Sequence, residues 1–349
     1  SQEAFGYTRA MEILPVGKLR AERLQAHLGK CALLDPRVVV GPKIGEDAAV
    51  IDMGDRYLVA TTDPITFATE EIGWYALQVN ANDVAVRGAR PRWFLATLLL
   101  PAGATTDASV ENLFAQLGRA CEELEVSLVG GHTEVTHGLS RPIVVGTMLG
   151  EVAKDKLVTT GGARVGDVVL LTKGIPLEGS AILAREQSAE LERRGLPVAL
   201  LERARQLFHR PGLSVVPEAL LAVELAPVHS MHDPTEGGIA TACWELAEAA
   251  QVGLRIERER IPVLAEGARL CAEFGLDPLG TIASGSLLLT LAPADATAVL
   301  HACARDGIDC AFVGQVVPKG EGVLLVESGR SRPMPLFPQD EITKIFAEA

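Results

Sequence analysis

The sequence predicts an α+β fold, with an N-terminal α+β domain followed by a C-terminal α/β domain. Three observations support this prediction. Short β-rich runs separated by glycines and charged turns fill the first half, two long helical segments interrupt them, and strands alternate with helices after a glycine-rich junction. With 349 residues the chain is long enough for about two domains. We place them at 1–155 and 156–330, with a tail at 331–349.

Composition and charge exclude several classes of protein. Lys and Arg number 32 against 45 Asp and Glu, and the resulting net charge of −13 argues against a nucleic-acid or anionic-membrane partner. No run approaches the ~20 apolar residues that span a bilayer, and no signal-peptide pattern is present. The six cysteines form no Cys-x-x-Cys pair, which indicates reduced thiols. We therefore expect a cytoplasmic protein.

The first half contains strands and helices. A helix over residues 18–34 ends before the turn at Asp35-Pro36. Apolar residues recur at helical spacing over Glu70–Arg87 without a proline, which predicts a second helix, and Asp107 is expected to cap a third that runs to Leu124. The predicted strands are Val38–Val40, Ala48–Ile51, Tyr57–Thr61, Trp93–Leu100, Val126–Val129 and Ile143–Met148.

The second half begins after a junction at residues 151–162. Its predicted strands are Val168–Thr172, Val228–Met231, Leu254–Ile256, Ser286–Leu291 and Ala311–Val316. Its predicted helices include Ser180–Arg194, Val198–Phe208 and Glu236–Ala250. The segment after Val326 is rich in proline and ends in a short amphipathic stretch.

Two acidic positions lie next to predicted strands. Glu46 and Asp47 occupy a glycine turn directly before a strand, and Asp63 precedes Pro64, which we expect to end its strand. Hard cations such as Mg²⁺ prefer oxygen ligands on a stiff support. Each position alone is also typical of a solvated turn.

The helix over Glu70–Arg87 carries unexpected polar residues. It is apolar on most faces, yet Asn80, Asn82 and Asp83 lie within four positions, and buried polar groups need partners. Asn80 and Asp83 share a face, with Arg87 one turn further. Two interpretations stay open: an internal Asp83–Arg87 ion pair, or a metal or phosphate site beside the strand ends.

Two glycine-containing motifs complete the set. Gly130 to Glu134 follow a predicted strand and read as a turn whose glycines let a ligand approach the backbone. His232 to Gly238 precede a helix whose N-terminus can hold an anion, with Asp233 and Glu236 placed to position a substrate or move a proton. Plain structural turns are the alternatives. No Walker loop and no Gly-x-Gly-x-x-Gly motif occurs.

Taken in order, these motifs resemble the aminoimidazole-ribonucleotide synthetase (PurM-like) superfamily over roughly residues 15–320. That superfamily includes thiamine-monophosphate kinase, selenophosphate synthetase and the hydrogenase-maturation protein HypE. The sequence most resembles the HypE branch, through Asp233-Pro-Thr-Glu-Gly-Gly and the segment Trp93–Pro101. The resemblance implies an N-terminal domain that forms a dimeric β-barrel-like core and binds ATP, plus a C-terminal PurM-like domain.

The resemblance also implies roles for individual residues. Mg²⁺ would be held by the carboxylates of Asp47, Asp63 and Asp83. ATP would be bound by Asn80, Gly130, Gly131, His132, Thr133 and Glu134. Catalysis would fall to Asp233, Glu236 and Asp83.

We therefore expect an ATP- and Mg²⁺-dependent enzyme, a homodimer, that activates an amide- or carbamoyl-type oxygen by phosphorylation. The acceptor would be a small molecule or a partner protein that carries it. The alternatives are a small-molecule kinase like thiamine-monophosphate kinase and a non-catalytic dimeric assembly partner. HypE carries its carbamoyl group on a C-terminal cysteine, whereas the last cysteine of this sequence is Cys310, so a role in hydrogenase maturation stays open.

Overall fold

Two β-sheets form the frame of the molecule. This computed structural model describes residues 14, 19, 21–43, 45–66 and 70–346. Within these residues the first sheet has six strands in the order β1-β2-β3-β6-β4-β5, and the second has seven in the order β13-β12-β9-β11-β7-β10-β8. Within the described residues, no helix has the length and apolarity needed to cross a membrane.

The strands of the first sheet are β1 (Val38–Val40), β2 (Ala49–Asp52), β3 (Arg56–Ile65), β4 (Arg90–Pro101), β5 (Ser127–Thr136) and β6 (Ile143–Ala153). Those of the second are β7 (Val168–Thr172), β8 (Val228–His232), β9 (Gly253–Glu257), β10 (Leu288–Leu291), β11 (Cys310–Val317), β12 (Val323–Glu327) and β13 (Arg330–Pro333).

The helices lie between and after the strands. Those of the first half are α1 (Ala21–Leu28), α2 (Ile72–Ala85) and α3 (Asp107–Leu124). Those of the second half are α4 (Leu177–Glu186), α5 (Ser188–Arg193), α6 (Val198–Gln206), α7 (Val216–Leu225), α8 (Gly238–Ala250), α9 (Ala265–Phe274), α10 (Pro293–Arg305) and α11 (Thr343–Phe346). The predicted N-terminal helix begins at Lys18, which lies outside the described residues.

Helix α2 is the central element of the first half. All of its residues are buried, and it packs against strands β3, β4 and β6 and against α3. Gly73 permits the close approach of α3, since a Cβ there would lie 3.0 Å from the backbone oxygen of Leu113. Polar side chains on this helix are therefore forced into the interior, next to the sheet.

The second sheet is mixed and is flanked by the helices of the second half. Among its described neighbouring strands, only β9 and β12 run parallel. Here strands that follow one another in the chain are seldom neighbours, because the connections place them across the sheet. The two sheets are therefore both mixed and largely antiparallel.

Several predicted boundaries also differ from the structure. Thr106, not Asp107, caps α3, through a reciprocal pair of hydrogen bonds with Ser109. The helix expected over Ser180–Arg194 is divided into α4 and α5. Strand β3 continues past Pro64. Its pairing with β2 ends at Ala60, so among the described residues no paired strand on that side requires the N–H that a proline lacks.

Candidate active site

Four carboxylates converge where α2 meets the first sheet and the end of β8. Asp47 precedes β2, Asp63 lies on β3, Asp83 on α2, and Asp233 directly after β8. Burial raises the pKa of Asp83 well above its ordinary value, and the negative charges of Asp63, Asp233 and Asp47 add to this rise. The structure thus brings together the three predicted metal ligands and one predicted catalytic residue.

The polar residues of α2 anchor this arrangement to the backbone. Asn80 accepts a hydrogen bond from the N–H of Asp63 at 2.9 Å and donates to its carbonyl at 3.2 Å. Gly146 on β6 makes room for this amide, since a Cβ there would lie 2.3 Å from it. The Asn82 amide likewise donates to the carbonyl of Leu213 and accepts from the N–H of Val215. The amide of Asn80 therefore positions Asp63; its role toward ATP stays a prediction.

Thr61 links two members of the cluster. Its hydroxyl lies 2.8 Å from Oδ2 of Asp83 and 2.9 Å from the backbone oxygen of Asp47. Thr61 is on β3, two residues before Asp63, so side chains at both positions point to the same face of the sheet. The strand therefore sets the spacing between the turn before β2 and helix α2.

Arg87 is a fully buried cation that organises the turn before β2. Its guanidinium lies 2.6 Å from Glu46 and 2.9 Å from Asp47, and donates to the hydroxyl of Thr160 at 2.9 Å. The internal Asp83–Arg87 ion pair considered from the sequence is therefore wrong, because the arginine reaches across to the turn. Arg87 connects the first half of the chain with the segment that leads to β7.

A histidine joins the cluster from the second half. Nδ1 of His232 lies 2.9 Å from Oδ2 of Asp47, and Nε2 lies 2.9 Å from Oε2 of Glu245 on α8. Burial lowers the pKa of His232, but the two carboxylates outweigh this effect and raise it well above its usual value. The sequence motif contained His232, but neither it nor Glu245 was predicted as a site residue.

Asp233 is buried with unmet hydrogen-bonding capacity. Burial raises its pKa to about 7, with a further rise from the charge of Asp47. Only 1% of the residue is exposed, and neither carboxylate oxygen has a hydrogen-bond partner. A buried carboxylate of this kind needs a proton or a cation. The cluster as a whole therefore suits a hard divalent cation, whose preferred ligands are carboxylate oxygens.

A cavity of about 410 Å³ opens beside the cluster. Its volume lies in the range of about 300–1,000 Å³ that small-molecule sites occupy. It is lined by Gly41, Pro42, Glu46, Asp47, Ala48, Ala49, Ala60, Thr61, Thr62 and Thr147. A ligand in this cavity would thus contact Asp47 directly.

The predicted turn at Gly130–Glu134 is wrong, because these residues lie inside strand β5. Gly131 is needed for close packing of the strands, since a Cβ there would lie 2.0 Å from the backbone oxygen of Ala96. The register of β4 with β5 shifts nearby, between Phe94 and Leu95. Strands β6 and β4 separate β5 from β3, so the motif lies roughly 14 Å from β3 across the sheet. Within one chain, the structure does not bring it to the cluster.

Glu236 occupies a different environment from Asp233. It is exposed, and its charge contributes to the raised pKa of Glu178 and of Asp340. Burial is the main cause at Glu178, whose pKa rises to about 8. Helix α8 begins at Gly238, later than predicted, because two successive glycines with positive φ form its start. No sequence signal pointed to Glu178 or Asp340.

The chain matches two family descriptions in succession. The N-terminal domain of AIR synthase related proteins matches residues 45–152, and their C-terminal domain matches residues 164–327. The chain belongs to the AIR synthase related protein family. Among its relatives is the carbamoyl dehydratase HypE of Cupriavidus necator, which is 32% identical over 79% of this chain and 78% of the relative.

Solved structures of this family have the same fold. HypE in complex with ATP superposes with a TM-score of 0.68 at 25% identity, covering 92% of this chain and 96% of HypE. AaThiL complexed with AMPPCP and TMP gives a TM-score of 0.68 at 23% identity, covering 91% of this chain and 94% of AaThiL. At that identity the second comparison supports the fold alone.

Proposed function

We propose that this protein is an ATP- and Mg²⁺-dependent enzyme that activates an amide- or carbamoyl-type oxygen by phosphorylation. The observation that carries the proposal is the convergence of Asp47, Asp63, Asp83 and Asp233 beside an open cavity. The family supports it, because a relative at 32% identity is a carbamoyl dehydratase and a structure at 25% identity holds ATP.

The carboxylates of Asp47, Asp63 and Asp83 would hold the metal. Bound Mg²⁺ would supply positive charge to the phosphate oxygens of ATP. Thr61 fixes the direction of the Asp83 carboxylate, Asn80 holds the backbone of Asp63, and the guanidinium of Arg87 lies 2.9 Å from Asp47. The protein's own part is therefore to hold several negative charges close together before the ligands arrive.

Asp233 and Asp83 are suited to move protons. An amide oxygen that attacks the terminal phosphate releases ADP, and loss of the amide protons then releases phosphate from the dehydrated acceptor. A carboxylate with a pKa of about 7, such as Asp233, can accept such a proton near neutral pH. Glu236, which is exposed, would contact the acceptor.

The homodimer belongs to the same proposal. Strand β5 is an exposed edge with apolar side chains at Leu128, Val129 and Val135. Such an edge is available for pairing with a second chain. In a dimer paired along β5, the Gly130–Glu134 segment of one copy would lie near the cavity of the other copy. The motif could then contact ATP, as the resemblance predicts.

Product analysis tests the proposed reaction. The purified chain is incubated with Mg²⁺, ATP and small amide or carbamoyl compounds, and separately with thiamine monophosphate, and the products are followed by ³¹P NMR. The proposal expects ADP, free phosphate and a dehydrated acceptor. ADP with a stable phosphorylated acceptor would indicate the kinase alternative, and absence of nucleotide turnover with every acceptor and protein partner would indicate the assembly partner.

A further inference from the structure

A second group of acidic side chains lies outside the carboxylate cluster. Glu178 is on α4, Glu236 lies just before α8, and Asp340 lies between β13 and α11. We propose that these three residues bind a positively charged nitrogen group of the acceptor, an ammonium or a guanidinium. The inference rests on the proposed function, because it names the class of acceptor that the enzyme would phosphorylate.

The backbone of Ile282 holds the three side chains together. Its carbonyl accepts a hydrogen bond from the N–H of Gly179 at 2.9 Å, and its N–H faces the carboxylate of Asp340. Oδ2 of Asp340 in turn accepts from the N–H of Gly237 at 2.7 Å. The two glutamates directly precede these two glycines in the chain. The start of α4, the start of α8 and the C-terminal segment therefore meet at one place.

Glu178 is fully buried, and the protein does not satisfy its carboxyl group. The hydroxyl and the N–H of Ser284 face this group, yet among the described residues neither oxygen has a partner at normal hydrogen-bond geometry. Native proteins rarely leave a buried carboxyl group in this state. A ligand that donates N–H groups to Glu178 would complete its hydrogen bonds.

The charges around Glu178 favour a positively charged ligand. Burial is the main cause that raises the pKa of Glu178 to about 8, and the negative charges of Glu236 and Asp340 add to this rise. Burial likewise raises the pKa of Asp340 to about 6. A bound cation would offset these effects, because an opposite charge nearby stabilises the ionised form of a carboxyl group.

The spacing of the three side chains favours an organic cation over a metal ion. Among the described residues, only Asp47, His232 and Asp233 bring three ligand atoms within 4.8 Å of one another. The oxygens of the three proposed residues are spaced more widely, so they do not surround one metal ion. An ammonium carries several N–H donors, and a planar guanidinium carries a fork of them. Such a group can donate to carboxyl oxygens that are too far apart to bind one ion.

The proposed site extends from the interior to the surface. Glu178 and Asp340 are buried, whereas Glu236 is exposed. The charged end of an acceptor can therefore enter past Glu236 and reach Glu178. The proposed catalytic residue Asp233 precedes Glu236 by three residues. The acceptor can thus present its reacting oxygen to the carboxylate cluster while its positive charge is bound here.

Binding of simple cations without nucleotide tests the site. The full chain, freed of metal by dialysis against a chelator, is titrated by calorimetry with butylguanidinium, with butylammonium and with butylurea, an uncharged molecule of nearly the same shape as butylguanidinium. We expect at least one of the cations to bind at least about tenfold more tightly than butylurea. Binding at about pH 7 should also release protons, measured in two buffers of different ionisation enthalpy, because Glu178 would ionise beside the cation.

Matched variants locate the binding. Glu178→Gln keeps the size of the side chain and removes its charge, so it should weaken cation binding at least about tenfold and abolish the proton release. Glu186→Gln, at an exposed residue at the other end of α4, should leave both unchanged. Asp340→Asn keeps an acceptor for the N–H of Gly237 and should also weaken cation binding, so the test does not depend on the folding of one variant.

Three results would overturn the site: no binding of either cation, equal affinity for butylurea and the cations, or wild-type cation affinity in either variant. These titrations contain neither ATP nor Mg²⁺, so their outcome does not depend on the nucleotide. Intact cation binding in a chain that turns over no ATP would contradict the proposed function and not this inference.

Discussion

The carboxylate cluster and the edge strand β5 have similar sequence motifs but differ in solvent exposure. Both combine acidic residues with glycines next to a strand. In the cluster, Asp83 and Asp233 are 5% and 1% exposed, whereas on β5 the side chains of His132 and Glu134 are 66% and 52% exposed. Burial of like charges is unfavourable and needs a compensating ligand, while an exposed polar strand does not. Burial therefore separates the candidate site from the candidate interface.

The largest effect should come from the cation that makes the cluster possible. Arg87→Met removes the guanidinium that lies between Glu46 and Asp47, and removing one member of a buried ion pair destabilises a protein by about 3–5 kcal/mol. Chemical denaturation measures this loss. The control is Arg92→Met, because Arg92 lies on strand β4 and is exposed. This variant should change the free energy of unfolding by less than about 0.5 kcal/mol. Equal stability of the two variants would show that Arg87 does not hold the cluster.

A charge on the edge strand should act on assembly and leave the cluster intact. Leu128→Lys places a lysine on β5, where such residues block strand pairing between chains. We expect the dissociation constant of the dimer to rise at least tenfold, which corresponds to about 1.4 kcal/mol of binding free energy. Light scattering and sedimentation measure this change. Val165→Lys, at an exposed apolar position in the second half, should leave assembly unchanged. A wild-type monomer would contradict the role assigned to β5.

The smallest effect should be a pH dependence of the free energy of unfolding that arises from the cluster and not from β5. The pKa of Asp233 is about 7 in the folded state against an ordinary value of 3.8. Since the folded state binds the extra proton, the contribution of Asp233 to the free energy of unfolding should fall as pH rises from about 4 to about 7 and level off above it, by about 1 kcal/mol between pH 6 and pH 8. Asp233→Asn should reduce this fall, and Glu134→Gln should not. A stability that rises over this range in the wild type would contradict the assignment.

The sequence predicted the members of the cluster better than their contacts. Asp47, Asp63, Asp83 and Asp233 were assigned through the resemblance to the family, because each position alone is also typical of an ordinary turn or ion pair. The partner of Arg87 was not predictable, because helical spacing favours Asp83 while the tertiary fold brings Glu46 within reach.

The error on β5 and the strand order of the second sheet have a common cause. Gly130 and Gly131 indicate a turn when only local conformation is considered, yet here they accommodate a neighbouring strand at Ala96. The direction of strand pairing likewise depends on where the connections place each strand. Both properties are set by contacts between distant segments, which a single sequence does not display.

The most direct test of the account is the Mg²⁺-dependent binding of ATP to Asp83→Asn. Calorimetry should show ATP affinity at least about 100-fold weaker than in the wild type, or about 2.7 kcal/mol, because a central oxygen ligand is lost. The same variant should be more stable to unfolding by about 0.5–2 kcal/mol, since a buried charge among like charges is removed. Asp52→Asn, on strand β2 outside the cluster, should leave the affinity for ATP unchanged. Wild-type affinity for ATP in Asp83→Asn would contradict the central claim that these carboxylates together bind the metal and the nucleotide.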